Sequence, residues 1–308
     1  MDRRAFLGLT AAVGSSMLSG CSVRLRRLSL AAPVRPIGLQ LYTVMDLLDR
    51  DFEGTLRTVA KIGYKEVETL GDFSQDRARF RQLLEDCGLT SPSQHIMPAG
   101  LGRIFAAGVR NEISKQELEN AFLKAFSFER IDALIAECIE QAHGLGQQYI
   151  IWQITWPSQL KAIADIDRLI RTLNKAGRLC SEAGLRFAYH NHGAEFVPVG
   201  GDVPYELILN NTDPAHVHFE LDLAWATFSG GDPIPYLERH PGRFHLCHLK
   251  DVDRAGNVCA TGEGIVRFPA FLQAAARAGI AHYFVEYDAP ADPLREITNS
   301  YARLAPLM

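Results

Sequence analysis

From Ile37 onward the chain alternates short β-rich runs with stretches whose apolar residues recur every three or four positions. The β-rich runs are Ile37–Tyr42, Tyr64–Thr69, Leu89–Ile96, Gln148–Ile154, Leu185–Asn191, His216–Asp222, Arg243–Lys250 and Ala281–Tyr287. Between them, Phe52, Leu56, Val59 and Ala60 fall on one face of a helix. So do Phe80, Leu83, Leu84 and Cys87, then Ile163, Ile166, Ile170 and Leu173, then Phe271, Leu272, Ala275 and Ala276. Gly63, Gly88, Gly184 and Gly279 stand between a helix and the next strand, where a left-handed residue closes the last turn.

Eight such units in roughly 270 residues match the size of a (β/α)8 TIM barrel. The expected fold class is therefore α/β, with a single-domain barrel over residues 36–308. The structural alternative is a doubly wound open sheet. No G-x-G-x-x-G follows the first strand, so a dinucleotide fold has little support. One interval is long, from Met97 to Phe128, and carries Gly100, Gly102, Gly108 and a charged helical piece from Ser114 to Phe126. An insertion after the third strand falls on the active face of a barrel, where it can serve as a lid.

The first residues follow a different pattern. Asp2-Arg3-Arg4-Ala5-Phe6-Leu7 leads into an apolar run that ends at Leu18-Ser19-Gly20-Cys21. A charged start, a short apolar stretch and small residues before a boundary have the anatomy of a secretory signal. The run is too short to span a membrane comfortably. Arg3-Arg4 resembles a twin-arginine export signal. Leu18 to Cys21 resembles a bacterial lipobox, which implies cleavage after residue 20, lipidation of Cys21 and a periplasmic or cell-envelope location. A buried apolar helix and a signal cleaved without lipidation are the alternatives. Residues 21–35, with Arg24, Arg26, Arg27 and Arg35, read as a tether near an anionic membrane surface.

With 47% apolar and 22% charged residues, the composition excludes a disordered, collagen-like or coiled-coil protein. A net charge of -4 and the lack of a basic stripe argue against a nucleic-acid partner. A homo-oligomer is compatible with the sequence. Cys87, Cys138, Cys180, Cys247 and Cys259 show no metal-ligand spacing and read as free thiols, with one pair left open.

Polar residues gather where the strands end. The second run carries Glu66-Val67-Glu68, the third Gln94-His95, the fourth Trp152-Gln153, and the fifth Tyr189-His190-Asn191-His192. The sixth carries Glu220-Leu221-Asp222, the seventh His248-Leu249-Lys250-Asp251, and the eighth Glu286-Tyr287-Asp288. Alternation along a strand puts His190 with His192, Glu220 with Asp222, and His248 with Lys250. His190, Asp222, His248 and Glu286 thus lie on four adjacent strands, one candidate metal ligand each. Two imidazoles and two carboxylates suit Mn, Zn, Co or Fe better than Mg or Ca. For any one of them the ordinary alternative is structural, such as a carboxylate capping the next helix. His143, His216, His218, His240 and His282 read as structural, and the odd offset of His245 from His248 points it to the other face.

The body resembles the sugar phosphate isomerase/epimerase superfamily, the xylose isomerase-like TIM barrels, over about residues 36–305. The marks are Gly38-Leu39-Gln40-Leu41-Tyr42-Thr43-Val44, Gly63-Tyr64 with Val67-Glu68, and Tyr189-His190-Asn191-His192. To these add Glu220-Leu221-Asp222 with Trp225, Pro241-Gly242-Arg243 leading to His248-Leu249-Lys250-Asp251, Gly262-Glu263-Gly264, and Val285-Glu286-Tyr287-Asp288. The resemblance implies a metal set of Glu, Asp, His and Glu from strands five to eight, which maps onto His190, Asp222, His248 and Glu286. His190 departs from it, and that departure weakens a symmetric two-carboxylate epimerisation.

The implied activity is a divalent-metal-dependent isomerase or epimerase that acts on a sugar or keto-sugar through an enediolate. Glu286 is the first candidate base and His192 the second, with Glu68 able to serve in place of His192. Lys250 either steadies an oxyanion or pairs with Asp251. Gln40, Tyr42, Glu68, His95, Trp152 and Trp225 are candidate substrate contacts, the two tryptophans as a stacking wall or as core. Gly262-Glu263-Gly264 most simply shapes a loop. An exported enzyme meets few phosphorylated sugars, so a free keto-sugar or a glycoside is the expected substrate. The alternatives are a lyase, dehydratase or hydrolase of keto-sugars on the same site, or a non-catalytic sugar-binding lipoprotein. A nuclease branch is disfavoured by the acidic balance.

Overall fold

In the computed structural model, which describes residues 35–308, eight parallel strands close into a barrel. They are β1 (Gly38–Gln40), β2 (Glu66–Leu70), β3 (Thr90–His95), β4 (Tyr149–Trp152), β5 (Arg186–His190), β6 (Val217–Asp222), β7 (Phe244–His248) and β8 (His282–Val285). Each pairs with the next, and β1 closes on β8. The expected leader, the lipobox at Cys21 and most of the tether lie outside the described residues. Arg35, the last tether residue, donates to the Tyr283 hydroxyl at 2.7 Å. No helix among the described residues is long and apolar enough to cross a membrane.

Five of the eight strands end at a polar side chain, Gln40, His95, His190, Asp222 and His248. β1 stops at Gln40, whose side chain accepts the Tyr42 N–H and opens a 3-10 turn over Leu41–Val44. The surrounding helices bury one stripe each. The helix Phe52–Ile62 buries Thr55, Leu56 and Val59, and Asp51 caps it by accepting the Gly54 N–H. The helix Ile163–Glu182 buries Ile166, Leu169, Ile170, Leu173, Ala176 and Cys180. Gly63 has φ +130°, and a Cβ there would sit 2.4 Å from the Tyr301 ring.

Inside the barrel, Tyr149, Ile151, Ala188, Leu246 and Phe284 form a buried apolar plug. Side chains two residues further along these strands stand at the C-terminal mouth, where barrel sites form. Parallel register sets His190 beside Glu220 and Asp222 beside His248. Between β6 and β7 the register slips, with Phe219 opposite Phe244 but Glu220 opposite Leu246, so His245 is an extra residue. This corrects the expected orientation of His245. Its ring stacks on His218 at 3.8 Å, and its Nδ1 lies 3.1 Å from the Tyr149 hydroxyl.

The insertion holds two helices, Leu101–Val109 and Lys115–Ala125, and the second starts on a Ser114–Glu117 capping box. The first helix contains Gly102 and Gly108, which hide its pattern in the sequence. After β7 a two-stranded hairpin pairs Asp251–Val252 with Val258–Cys259. Cys87, Cys138, Cys180, Cys247 and Cys259 are all free thiols.

Candidate active site

Four strands bring carboxylates and imidazoles to one buried place. Asp222 at the end of β6, His248 at the end of β7 and Glu286 just after β8 each offer a ligand atom, and these atoms lie within 4.8 Å of one another. His190, at the end of β5, approaches the same group, with Nε2 3.9 Å from Asp222 Oδ2. It falls equally in a second, deeper cluster with His95, Glu220 and His248. Asn191 ties the ends of β5 and β6 together. Its Nδ2 donates to the Asp222 carbonyl at 3.2 Å, and its Oδ1 accepts the Asp222 N–H at 3.1 Å.

Asp222 divides its carboxylate. Oδ1 accepts the Trp225 N–H at 3.0 Å and caps the helix Leu223–Phe228. Oδ2 is buried with no hydrogen-bond partner. An unpartnered carboxylate oxygen is costly to bury, and a cation facing Oδ2 from among Asp222, His248 and Glu286 removes that cost. The residues present therefore fit a borderline divalent ion.

Lys250 lies above this group. Its ammonium donates to Glu286 Oε2 at 2.9 Å and to Asp288 Oδ1 at 2.7 Å, and stands 5.2 Å from the centre of the Trp225 ring. Burial alone would lower its pKa, but Asp288, Glu286 and Asp222 hold it well above the usual lysine range. Burial likewise works against ionisation of Glu286, yet Lys250 and His248 keep that carboxyl well below its ordinary value. Burial pushes Asp222 up to about 6, against the opposing pull of Lys250. Burial and the Lys250 charge push His192 down to about 3, so it is neutral at ordinary pH, and its Nδ1 has no partner. Of the two pairings open to Lys250, the one with Asp251 is not made. The Asp251 carboxylate instead accepts N–H groups from Val252, Gly262, Gly264 and Val266, so Gly262-Glu263-Gly264 shapes a loop around it.

The candidate substrate contacts divide by exposure. Tyr42, His192 and Trp225 are half-buried at the rim, with the His192 and Trp225 rings 5.8 Å apart. Gln40, Glu68 and His95 are buried beneath the ligands rather than beside an opening. Glu68 accepts from Gln40 Nε2 at 2.9 Å and Ser93 Oγ at 2.6 Å, and pairs with His248 Nε2 at 2.7 Å and His95 Nε2 at 3.0 Å. Trp152 is 1% exposed, with its ring against Phe126 and Phe128 of the insertion, so it belongs to the core and not to a sugar-stacking wall.

Glu220, Glu195 and Asp288 carry no assigned role in the sequence reading. Glu220 Oε2 lies 2.9 Å from His95 Nε2 and 3.0 Å from His190 Nδ1. Its only sequence signal is the two-residue offset from Asp222. Glu195, pushed up to about 7 by burial, accepts from the Tyr189 hydroxyl and the His192 N–H. An open cavity of about 770 Å³ lies beside the mouth, between the loop at Phe73 and the insertion at Phe105, and no metal-ligand candidate lines it.

Comparison with known proteins agrees with this architecture. Residues 56–304 match the family model described as xylose isomerase-like TIM barrel. A protein called inosose dehydratase from Geobacillus kaustophilus is 27% identical over 211 residues, covering 64% of this chain and 61% of the relative. One of the same name from Salmonella agona is 26% identical over 226 residues, covering 73% and 71%. The chain therefore spans under two thirds of the first relative and somewhat more of the second. A crystal structure described as a sugar phosphate isomerase/epimerase from Parabacteroides distasonis superposes with a TM-score of 0.72 at 26% identity, covering 90% of this chain and 96% of that one.

Proposed function

The chain belongs to the xylose isomerase-like TIM-barrel family, and from that premise we propose that it is a divalent-metal-dependent enzyme that removes the proton α to the carbonyl of a keto-sugar or keto-polyol. The observation that carries this reading is the buried meeting of Asp222, His248 and Glu286 with the Lys250 ammonium 2.9 Å from Glu286. Asp222, His248 and Glu286, with His190 at their edge, would hold the ion. A divalent ion bound there supplies Lewis acidity toward the substrate carbonyl and its neighbouring hydroxyl.

The remaining roles belong to side chains of this chain. Among the described residues, the hydrogen bonds of Glu286 fall on Oε2, which leaves Oε1 to take the α-proton. Lys250 Nζ, held protonated by Asp288, Glu286 and Asp222, faces the developing negative charge, and its hold on the proton loosens once Glu286 takes the α-proton, so that it can then protonate the departing hydroxyl. Neutral His192 stands beside Trp225, ring centres 5.8 Å apart, with its Nδ1 buried and unpartnered. Trp225 and Tyr42 are the half-buried aromatic side chains at the rim, Trp225 with its ring centre 5.2 Å from Lys250 Nζ.

Within this chemistry we favour elimination of water. An ionised carboxylate and an ammonium side by side provide an acceptor for the α-proton and a donor for the leaving hydroxyl. The carboxylates on the opposite side, Glu68 and Glu220, lie buried below the ligands, where both oxygens of Glu68 and Oε2 of Glu220 are hydrogen-bonded and Oε1 of Glu220 has no partner. The name inosose dehydratase, borne by the Geobacillus and Salmonella relatives, supports the same outcome. Isomerisation or epimerisation is the second reading, favoured by the name of the Parabacteroides structure. To separate them, the metal-loaded protein is incubated with an inosose and a panel of keto-sugars in deuterated water. A product lighter than its substrate by one water supports dehydration, an isomeric sugar carrying solvent deuterium supports the second reading, and unchanged substrates contradict both.

The leader at residues 1–20 and the lipobox at Cys21 support export and a lipid anchor at the cell envelope. Mass analysis of the mature N-terminus tests this, with acylated Cys21 as the expected first residue. An intact Met1 in the envelope fraction would contradict it.

A further inference from the structure

We infer that Glu68, Glu220 and His95 are positioning residues, a buried layer that fixes which ring nitrogen of His248 and His190 faces the cation site. This rests on the proposed metal site. Each of the two histidines has one nitrogen held from below and the other presented upward. His248 Nε2 lies 2.7 Å from Glu68 Oε1, while its Nδ1 faces Glu286 at 3.1 Å. His190 Nδ1 lies 3.0 Å from Glu220 Oε2, while its Nε2 faces Asp222 at 3.9 Å. A histidine that ligates a metal through one nitrogen is oriented by what the other nitrogen donates to, and a carboxylate is a strong partner for that purpose.

The layer is itself braced. Gln40 and Ser93 hold both oxygens of Glu68. His95 Nε2 sits between the two carboxylates, 3.0 Å from Glu68 and 2.9 Å from Glu220. The His95 ring stacks on His248, centroids 5.3 Å apart at 13°, and leans on His190 at 5.2 Å. His95 therefore joins the supports of the two imidazoles through one atom.

A competing arrangement is a second cation held by His95, His190, Glu220 and His248, whose ligand atoms also fall within 4.8 Å of one another. Glu220 Oε1, buried without a partner, would suit such an ion, but the distances at His248 disfavour it. His248 Nε2 is already engaged by Glu68 at 2.7 Å and stands 3.4 Å from Glu220.

The test uses the full chain, stripped of metal and titrated with Zn²⁺ against a competing chelator. Wild type is expected to bind one ion. Glu68→Leu and Glu220→Leu weaken binding about 10- to 100-fold, and Glu68→Gln, which keeps an acceptor oxygen, loses less. Long-range ¹⁵N NMR of the Zn²⁺-loaded wild type is expected to find His248 protonated on Nε2 and His190 on Nδ1. This readout needs no variant to fold. The opposite tautomers overturn the inference, as do folded leucine variants with unchanged affinity. Two ions in wild type, one of them lost in His95→Gln, make His95 a ligand and overturn it too. Absence of any bound ion in wild type overturns the metal site itself, a distinct result.

Discussion

The Lys250 ammonium stands 2.9 Å from Oε2 of Glu286, and both side chains are buried at the mouth of the barrel. A buried ammonium is retained only where its partners are well placed. Here the partners are Glu286 and Asp288, with the Asp222 carboxylate at 3.8 Å. The pair combines a proton acceptor with a proton donor beside the residues that would hold the ion.

Lys250→Met keeps length and apolar contact but removes the charge. Turnover on the true substrate is expected to fall at least a hundredfold, about 3 kcal/mol of barrier, the size seen when a preorganised stabiliser of developing charge is lost. Metal affinity is expected to hold or tighten, since a neighbouring cation is gone. Steady-state kinetics with a parallel metal titration checks both, and unchanged turnover refutes the role.

Trp152 separates core from pocket. As a buried ring under Phe126 and Phe128, it is expected to cost about 3–5 kcal/mol of stability as Trp152→Ala. Trp152→Phe is expected to leave KM unchanged. A denaturant melt and a KM measurement check this. A raised KM with full stability would return Trp152 to the substrate wall.

Much of the site was legible because strand alternation is a fixed geometric rule. It groups Glu220 with Asp222 and marks the polar strand ends, and the eight runs identify the barrel. The sequence does not encode register in the same direct way. Glu220 reaches His190 because β5 and β6 align those two residues, and Glu68 reaches His248 across the barrel. Neither proximity has a local signal. His245 faces inward through a bulge, which breaks the alternation used to orient it. The sequence leaves Trp152 open between wall and core, and the rings of Phe126 and Phe128 from the insertion, packed against it, place it in the core.

At the other end of the barrel, burial, helped by His245 and Arg186, pushes His218 down to about 4. Its ordinary value is near 6.5, so between those limits the unfolded chain binds the proton and the folded chain does not. The stability tied to neutral His218 is whole above pH 6.5 and is lost as pH falls toward 4. Urea midpoints of wild type and His218→Gln at pH 7 and pH 5 test this. The variant is expected to lose less on acidification, and equal losses would contradict the assignment.

Asp222, His248 and Glu286 are expected to grip one divalent ion. Elemental analysis of the purified chain and of folded Asp222→Asn tests it most directly. About one Mn, Zn, Co or Fe per wild-type chain and a near-complete loss in the variant are expected. A wild-type chain that takes up no divalent metal when supplied with it, or an Asp222→Asn chain that keeps a full complement, would contradict it.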